Sequence, residues 1–118
     1  MIVKDISLDD QVDLHLHSTA SDGTWSPEEL INQVTKAGIR VISLTDHDTI
    51  ANVAETSEKA KKKGILCVPG VEVNSSWTGR CFHILGYCIN IEDNDLQSLL
   101  NYNVKLLRDS DRYAVELV

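Results

Sequence analysis

Four histidines are placed in this sequence where their side chains could bind metal ions together. His15 and His17 occupy alternate positions of a predicted strand, so both imidazoles lie on one face and can chelate a single cation. The pair alone is equally typical of two solvated histidines on an exposed strand edge. Its position favours a metal site, because the pair ends one predicted strand, His47 ends the next and His83 lies in a later one.

One glutamate is distinguished from the other acidic residues near these histidines. Glu72 lies between Val71 and Val73 in an otherwise apolar predicted strand, and a buried carboxylate needs a polar partner or a metal ion. A carboxylate that bridges two cations is the arrangement used in two-metal phosphoester chemistry. Glu72 is therefore a candidate bridging ligand.

Three aspartates flank the same positions, and each has a structural explanation as well as a chemical one. Asp22 precedes Gly23 in a sequence that also suits a plain turn. Asp46 and Asp48 can cap the helix that is predicted to follow them, and we expect Asp48 to do so. Their residue types alone do not decide between these roles.

The hydrophobic periodicity predicts alternating strands and helices. Strands are predicted at residues 12–16, 41–44, 65–68, 71–73 and 81–91, a turn at 74–80, and helices after residue 26, at about 50–63 and from about 95. For the first helix, Ser26 is the predicted N-cap, Pro27 takes the first helical position and Gly38 marks the end. This order is typical of a parallel α/β fold, in which periodicity does not separate an open sheet from a barrel.

Composition and charge exclude several classes of protein. The chain has 118 residues, enough for one domain, with 11 basic and 18 acidic residues and a formal net charge of −7. A protein that binds double-stranded nucleic acid by neutralising phosphates should be basic. No apolar run approaches the ~20 residues of a membrane helix. Three cysteines, Cys67, Cys81 and Cys88, form no paired framework. We therefore predict a cytoplasmic protein without membrane or bulk nucleic-acid binding.

Four ordered stretches of the sequence resemble the motifs of a known family. They are residues 13–23, which begin DLHLHS and end SDG, then LTDHDT at 44–49, PGVEV at 69–73 and HILGY at 83–87. Together they are similar to the PHP (polymerase and histidinol phosphatase) family, and most of all to its nucleoside 3′,5′-bisphosphate phosphatase-like subgroup. The resemblance implies a distorted (β/α)7 barrel that holds up to three divalent metal ions, usually manganese, zinc or iron.

The resemblance also implies which residues bind these ions. The implied ligands are His15, His17 and Glu72 for a first cation, Glu72 and His83 for a second, and Asp22 and His47 for a third.

Further roles are expected for residues around these ligands. The resemblance suggests that Asp13 and Asp46 orient ligand imidazoles. Arg80, in a predicted turn before His83, could grip a substrate phosphate, and a plain turn cation is an equally good interpretation. Two aromatic residues, Trp77 and Tyr87, are predicted to pack on the core.

The sequence matches only the first part of the family pattern. Later family motifs, a histidine-proline element and an aspartate-x-histidine element, have no counterpart here, since no histidine follows His83. A full barrel also needs about 250 residues. We therefore expect residues 1–118 to form a single, truncated PHP domain, the N-terminal half of a barrel with about four strands and helices outside. Unpaired strand edges in such a half predict a homodimer.

The function implied by the resemblance is hydrolysis of phosphate esters by a metal-activated water. The expected substrate is a nucleotide of the nucleoside 3′,5′-bisphosphate type or another phosphorylated small molecule. We expect weak or no turnover from this half alone. Two alternatives stay open: a metal-dependent amidohydrolase, which also carries two alternate histidines after its first barrel strand, and a non-catalytic module that binds metal or a partner.

Overall fold

A computed structural model describes residues 6–116 of the chain, with side chains described for residues 6–110. The elements along the chain are β1 (Gln11–Leu16), α1 (Pro27–Lys36), β2 (Ile39–Leu44), α2 (Val53–Lys62), β3 (Leu66–Cys67), β4 (Gly70–Trp77), β5 (Arg80–Tyr87) and α3 (Asn94–Glu116).

A small parallel sheet forms the first half of the fold. Its order is β1-β2-β3, and both neighbouring pairs are parallel, as the alternation of strands and helices predicts. The two crossover helices, α1 and α2, pack on one face of the sheet. The hydrophobic core lies between these helices and the sheet. It comprises Leu30, Ile31, Val34, Ile42, Leu44, Ala60, Ile65 and Cys67. This packing fixes where β1 and β2 end, and therefore where the residues that follow them lie.

The first helix, α1, has the ends that its sequence predicts. The Ser26 side chain accepts a hydrogen bond from the backbone N–H of Glu29, and Pro27 begins the helix. Gly38, just past the helix, has φ of 74°, a left-handed conformation that glycine adopts without steric cost. Local signals are sufficient to set this helix, and the prediction is confirmed.

The second helix, α2, begins later than predicted and is not capped by Asp48. The helix starts at Val53, and the N-cap residue Asn52 makes no capping hydrogen bond through its side chain. Asp48 instead has φ of 51° and directs its carboxylate to Asn74. The prediction of a cap at Asp48 is therefore wrong, because a distant partner competes for this carboxylate.

A β-hairpin replaces the turn predicted at residues 74–80. The strand β4 continues to Trp77, and β5 starts at Arg80 and pairs with it in an antiparallel register. The connection is the two-residue loop Thr78-Gly79, in which both residues have positive φ (49° and 77°), as a tight hairpin turn requires. The polar run after Val73 lies in this strand, and the strand predicted at 81–91 ends at Tyr87.

The hairpin is attached to the parallel sheet at its carboxyl edge. A single parallel bridge joins His47 to Glu72, with Glu72 N–H donating to the carbonyl of Asp46 (3.0 Å) and Asp48 N–H donating to the carbonyl of Glu72 (2.9 Å). The Tyr87 hydroxyl donates to the carbonyl of Leu14 at 2.7 Å. These contacts place the hairpin beside the ends of β1 and β2.

The last helix, α3, confirms the helical pattern of the tail. Leu100 is fully buried, while Leu99, Leu106 and Leu107 on the same helix are each nearly half exposed. Among the helices in the described range, none is both long enough and apolar enough to cross a membrane.

Candidate metal centre

All six predicted ligands lie in one cluster. The residues His15 and His17 come from the end of β1, Asp22 from the loop after it, His47 from the loop after β2, Glu72 from β4 and His83 from β5. Five segments of the chain therefore meet at one edge of the fold. Glu72 and His83 are reached differently from the others, because they come from the two antiparallel strands of the hairpin.

The Glu72 carboxylate lies at the middle of the cluster, with its side chain only 5% exposed. Its Oε1 atom is 3.3 Å from His15 Nε2 and 3.5 Å from His83 Nδ1. Its Oε2 atom is 3.4 Å from His17 Nε2 and 3.2 Å from His47 Nδ1. Each carboxylate oxygen thus faces two imidazole nitrogens, which is the arrangement expected of a carboxylate that serves more than one cation.

Asp22 faces the other side of two of these imidazoles. Its Oδ1 atom is 3.3 Å from His17 Nδ1, and its Oδ2 atom is 3.3 Å from His47 Nε2. The two rings are stacked, with centroids 4.6 Å apart. His17 and His47 therefore lie between two carboxylates, whereas the resemblance assigned each of them to one cation.

The six side chains make three overlapping groups, each with ligand atoms within 4.8 Å of one another. The groups are His15, His17 and Glu72; His17, Asp22 and His47; and His47, Glu72 and His83.

The donor atoms have the spacing that a metal ion needs. For metal–ligand bonds of about 2.0–2.1 Å in tetrahedral geometry, neighbouring ligand atoms are about 3.3–3.4 Å apart. The nitrogen–oxygen distances between Glu72 or Asp22 and the imidazoles are all 3.2–3.5 Å. Three buried atoms of the cluster, His17 Nδ1, His47 Nδ1 and Glu72 Oε2, also lack a hydrogen-bond partner among the described residues. Buried polar atoms are rarely left unpaired, so a bound cation accounts for them well.

Asp46 supports the cluster through the loop after β1 and not through an imidazole. Its carboxylate, 1% exposed, accepts hydrogen bonds from Ser18 N (2.6 Å), Ser18 Oγ (2.6 Å) and Ser21 Oγ (2.7 Å). The expected contact with a ligand ring is absent from the described hydrogen bonds. Asp46 instead folds the loop after β1 so that Asp22 reaches His17 and His47.

Four other residues are expected to act around the ligands or to cover the core, and of these expectations the phosphate-binding role of Arg80 stays a prediction. Asp13 accepts a hydrogen bond from the backbone N–H of His15 (3.1 Å) and contacts no imidazole in the described part of the chain. Arg80 is exposed, and the alternation along β5 places it on the hairpin face opposite His83. Trp77 is 73% exposed, so it does not cover the core, and Tyr87 is bound through its hydroxyl to β1.

Three residues near the cluster were missed as supporting groups. Asp48 and Asn74 form a network with Asn103 of α3, and none of the three contacts a metal-ligand atom. Asn74 was interpreted as part of a turn, and Asn103 carries no signal in the sequence because it is one asparagine on a helix. Ser18, beside the paired histidines, is fully buried and hydrogen-bonded to Asp46, so it is not placed as a nucleophile.

Comparison with known proteins agrees with this geometry. The family model of the PHP domain matches residues 13–116. A 5′-3′ exoribonuclease of Haemophilus influenzae is 43% identical over 105 residues, which cover 89% of this chain and 37% of that protein. A 3′,5′-nucleoside bisphosphate phosphatase of Chromobacterium violaceum is 39% identical over 79 residues, which cover 67% of this chain and 28% of that protein. The chain thus spans less than two fifths of either relative.

A solved structure has the same fold over the shared part. It is described as an amidohydrolase from Chromobacterium violaceum with bound sulfate and no metal. The two structures superpose with a TM-score of 0.76 at 36% identity, over 78% of this chain and 32% of the other. The hairpin after a parallel sheet is therefore part of a partial PHP barrel.

Proposed function

This chain belongs to the PHP family, and we propose that its cluster of four imidazoles and two carboxylates is part of the metal centre of a phosphoester hydrolase. The ions would be divalent manganese, zinc or iron, up to three when the centre is complete. When bound, such ions supply an activated water and neutralise charge on the oxygens of a phosphate group.

The observation that carries the proposal is the position of Glu72. A buried carboxylate that faces four imidazoles from three segments of the chain has more imidazole neighbours than a structural ion pair requires. Neutral imidazoles also present ring nitrogens as ligands without adding charge, whereas four protonated rings would repel one another at centroid distances of about 5 Å. The cluster is best explained as a set of ligands.

The chain's own residues would bind and orient rather than attack the substrate. The six residues of the cluster are imidazoles and carboxylates, so we expect the cations to neutralise a bound phosphate. The hydroxyls of Ser18 and Ser21 both donate to Asp46, so neither of these two serines is placed as a nucleophile. The Asp46 carboxylate keeps the loop with Asp22 in place, so that Asp22 and Glu72 face His17 and His47 from opposite sides.

We propose nucleotides as the substrate class, with nucleoside 3′,5′-bisphosphates or phosphorylated ends of short RNA as the first candidates. Two relatives are described as an exoribonuclease and a nucleoside bisphosphate phosphatase, and a solved structure of this fold holds sulfate, a tetrahedral anion like phosphate. Because this chain spans a minor part of its relatives, we expect its own turnover to be weak or absent.

Two other functions stay open as alternatives. The description of the solved relative as an amidohydrolase favours testing amide substrates as the second candidate. A non-catalytic metal-binding or partner-binding module would take up metal and hydrolyse neither class. A homodimer also stays a proposal, and sedimentation equilibrium on the metal-loaded chain tests it through the molecular mass.

The test combines metal uptake with two classes of substrate. The chain, freed of metal by chelation, is equilibrated with Mn²⁺ and assayed for bound metal, for phosphate release from adenosine 3′,5′-bisphosphate and for hydrolysis of an amide. Our proposal expects bound Mn²⁺ in wild type and not in Glu72→Gln, with any turnover confined to the phosphate ester. A chain that retains no Mn²⁺, or that cleaves the amide and not the bisphosphate, refutes the proposal.

A further inference from the structure

A partly buried polar network joins α3 to the segment that carries His47 and to β4, the strand that carries Glu72 and pairs with the strand of His83. The Asp48 Oδ1 atom accepts hydrogen bonds from Asn74 N (3.1 Å) and Asn103 Nδ2 (2.8 Å), and Oδ2 accepts one from Asn74 Nδ2 (2.6 Å). Asn103 Nδ2 also donates to the carbonyl of Asn74 at 2.9 Å. Three residues from three parts of the chain are thus held by four hydrogen bonds.

Burial of the Asp48 carboxylate is unfavourable unless this network is intact. Its side chain belongs to a residue only 3% exposed, and its hydrogen-bond partners in the described chain are amide groups without a cation. Burying a carboxylate is costly unless donors compensate it. Its φ of 51° lies in the left-handed region, which is strained for a residue other than glycine. Such a residue persists where its surroundings over-determine it.

The network is connected to the metal ligands through the backbone. Asp48 directly follows His47 in the chain, and its backbone N–H donates to the carbonyl of Glu72. Asn74 is the β4 residue that pairs with His83 across the hairpin. The group of His47, Glu72 and His83 is therefore supported on both sides by residues that contact none of its ligand atoms. His15, on β1, has no contact with this network in the described structure.

We propose that Asn103 is a positioning residue, which holds His47 and His83 in metal-binding geometry through Asp48 and Asn74. This inference rests on the proposed metal centre. One amide on α3 then sets the geometry of the group of His47, Glu72 and His83. The group that contains His15 is unaffected.

The test resolves the histidines one by one. The ring nitrogens of the four histidines are followed by NMR while Zn²⁺ alone is added to the metal-free chain, for wild type, Asn103→Leu and Asn101→Leu. Asn101 is a matched control, since it lies on the same helix, is exposed and, among the side chains that the structure describes, accepts a hydrogen bond from Gln97. We expect Asn103→Leu to raise the Zn²⁺ concentration needed by His47 and His83 about tenfold or more, with His15 unchanged. Asn101→Leu should match wild type.

The possible failures are distinguishable. If no ring of the wild type responds to Zn²⁺, the metal centre is refuted and the role of Asn103 with it. If all four rings of Asn103→Leu respond as in wild type, the role of Asn103 alone is refuted. Should Asn103→Leu not fold, Asp48→Asn carries the test, because it keeps the side-chain volume and replaces an acceptor oxygen with a donor that faces Asn74. It should show the same selective loss, and an unselective or absent effect refutes the inference.

Discussion

His47 and Glu72 are joined twice, once through their backbones and once through their side chains. The parallel bridge between them continues the sheet by one step beyond β2, and the imidazole Nδ1 lies 3.2 Å from the carboxylate Oε2. Because the backbone bridge fixes the register, the contact between the side chains follows from the strand geometry. The same bridge brings the hairpin, and with it His83, to the ends of the parallel strands.

Replacing the central carboxylate should remove most of the metal binding. Glu72→Gln keeps the shape but places an amide nitrogen, which cannot ligate, among four imidazoles. Substitutions of residues that only hold the ligands in place lower metal affinity about 10–100-fold. Glu72 belongs to two of the three ligand groups, so we expect Glu72→Gln to lower the Mn²⁺ affinity by more than this. Isothermal titration calorimetry measures this. Glu92→Gln, at an exposed position, is the control, and equal affinities for wild type and Glu72→Gln would contradict the assignment.

The Asp46 carboxylate should be important for stability even without metal. In Asp46→Asn, an amide donor replaces an oxygen that now accepts from Ser18 or Ser21 in a buried position. Leaving a buried hydrogen-bonding group unpaired costs about 1–3 kcal/mol, and we expect a decrease of that size in the free energy of unfolding. Urea denaturation in the presence of a chelator measures it. Asp109→Asn, on the exposed part of α3, should change stability little; a similar small change for Asp46→Asn would show that the network is not needed.

The parts of the fold that depend on local signals could be predicted from the sequence. Ser26, Pro27 and Gly38 mark the ends of α1 by their own backbone chemistry, and the apolar spacing does the rest. The hairpin was missed because the polar residues after Val73 resemble a turn, although they lie in a strand. Strand pairing is a long-range property that polarity alone does not reveal.

The candidate site likewise has a part that could be predicted from the sequence and a part that could not. Its six proposed ligands could be identified because their residue types are unusual at strand ends and match an ordered family pattern. The residues that support these ligands could not be identified from the sequence. Asp48 is hydrogen-bonded to Asn74, 26 positions away, and to Asn103, 55 positions away. An asparagine or aspartate has many possible partners, and only the packed chain selects one.

The buried thiol of Cys67 should make stability depend on pH. Burial raises the pKa of Cys67, and a hydrogen bond with the Leu44 backbone partly opposes this. The unfolded chain has a thiol pKa of about 8.5 at this position. Just above that pH, the unfolded chain loses the thiol proton and the native state keeps it. The contribution is complete below that pH and is lost as the pH rises through the native value.

We therefore expect the free energy of unfolding of wild type to decline above about pH 8.5 relative to that of Cys67→Val, which has no thiol to ionise at this position. Urea denaturation of both proteins at several pH values measures the difference. The exposed Cys81 and Cys88 are present in both proteins and cancel. A difference that does not change with pH would contradict the burial argument.

The glycine at position 23 should be required for the loop that carries Asp22. A Cβ atom there would overlap the carbonyl oxygen of His17 and lie 2.8 Å from the amide nitrogen of Ser18, both of them backbone atoms that cannot move aside. Gly23→Ala should therefore shift the loop, decrease the free energy of unfolding by about 1–3 kcal/mol and weaken metal binding, because Asp22 moves away from His17.

Gly86→Ala is the matched control for this substitution, since a Cβ atom at Gly86 would meet its nearest neighbour, Ile89 Cγ2, at an ordinary 3.6 Å. Urea denaturation and calorimetry with Mn²⁺ on both variants separate the two sites. The loop argument requires that Gly23→Ala be the less stable variant and the weaker metal binder. If the two variants behave alike, the close backbone approach at Gly23 does not position Asp22, and the carboxylate must reach the imidazoles in another way.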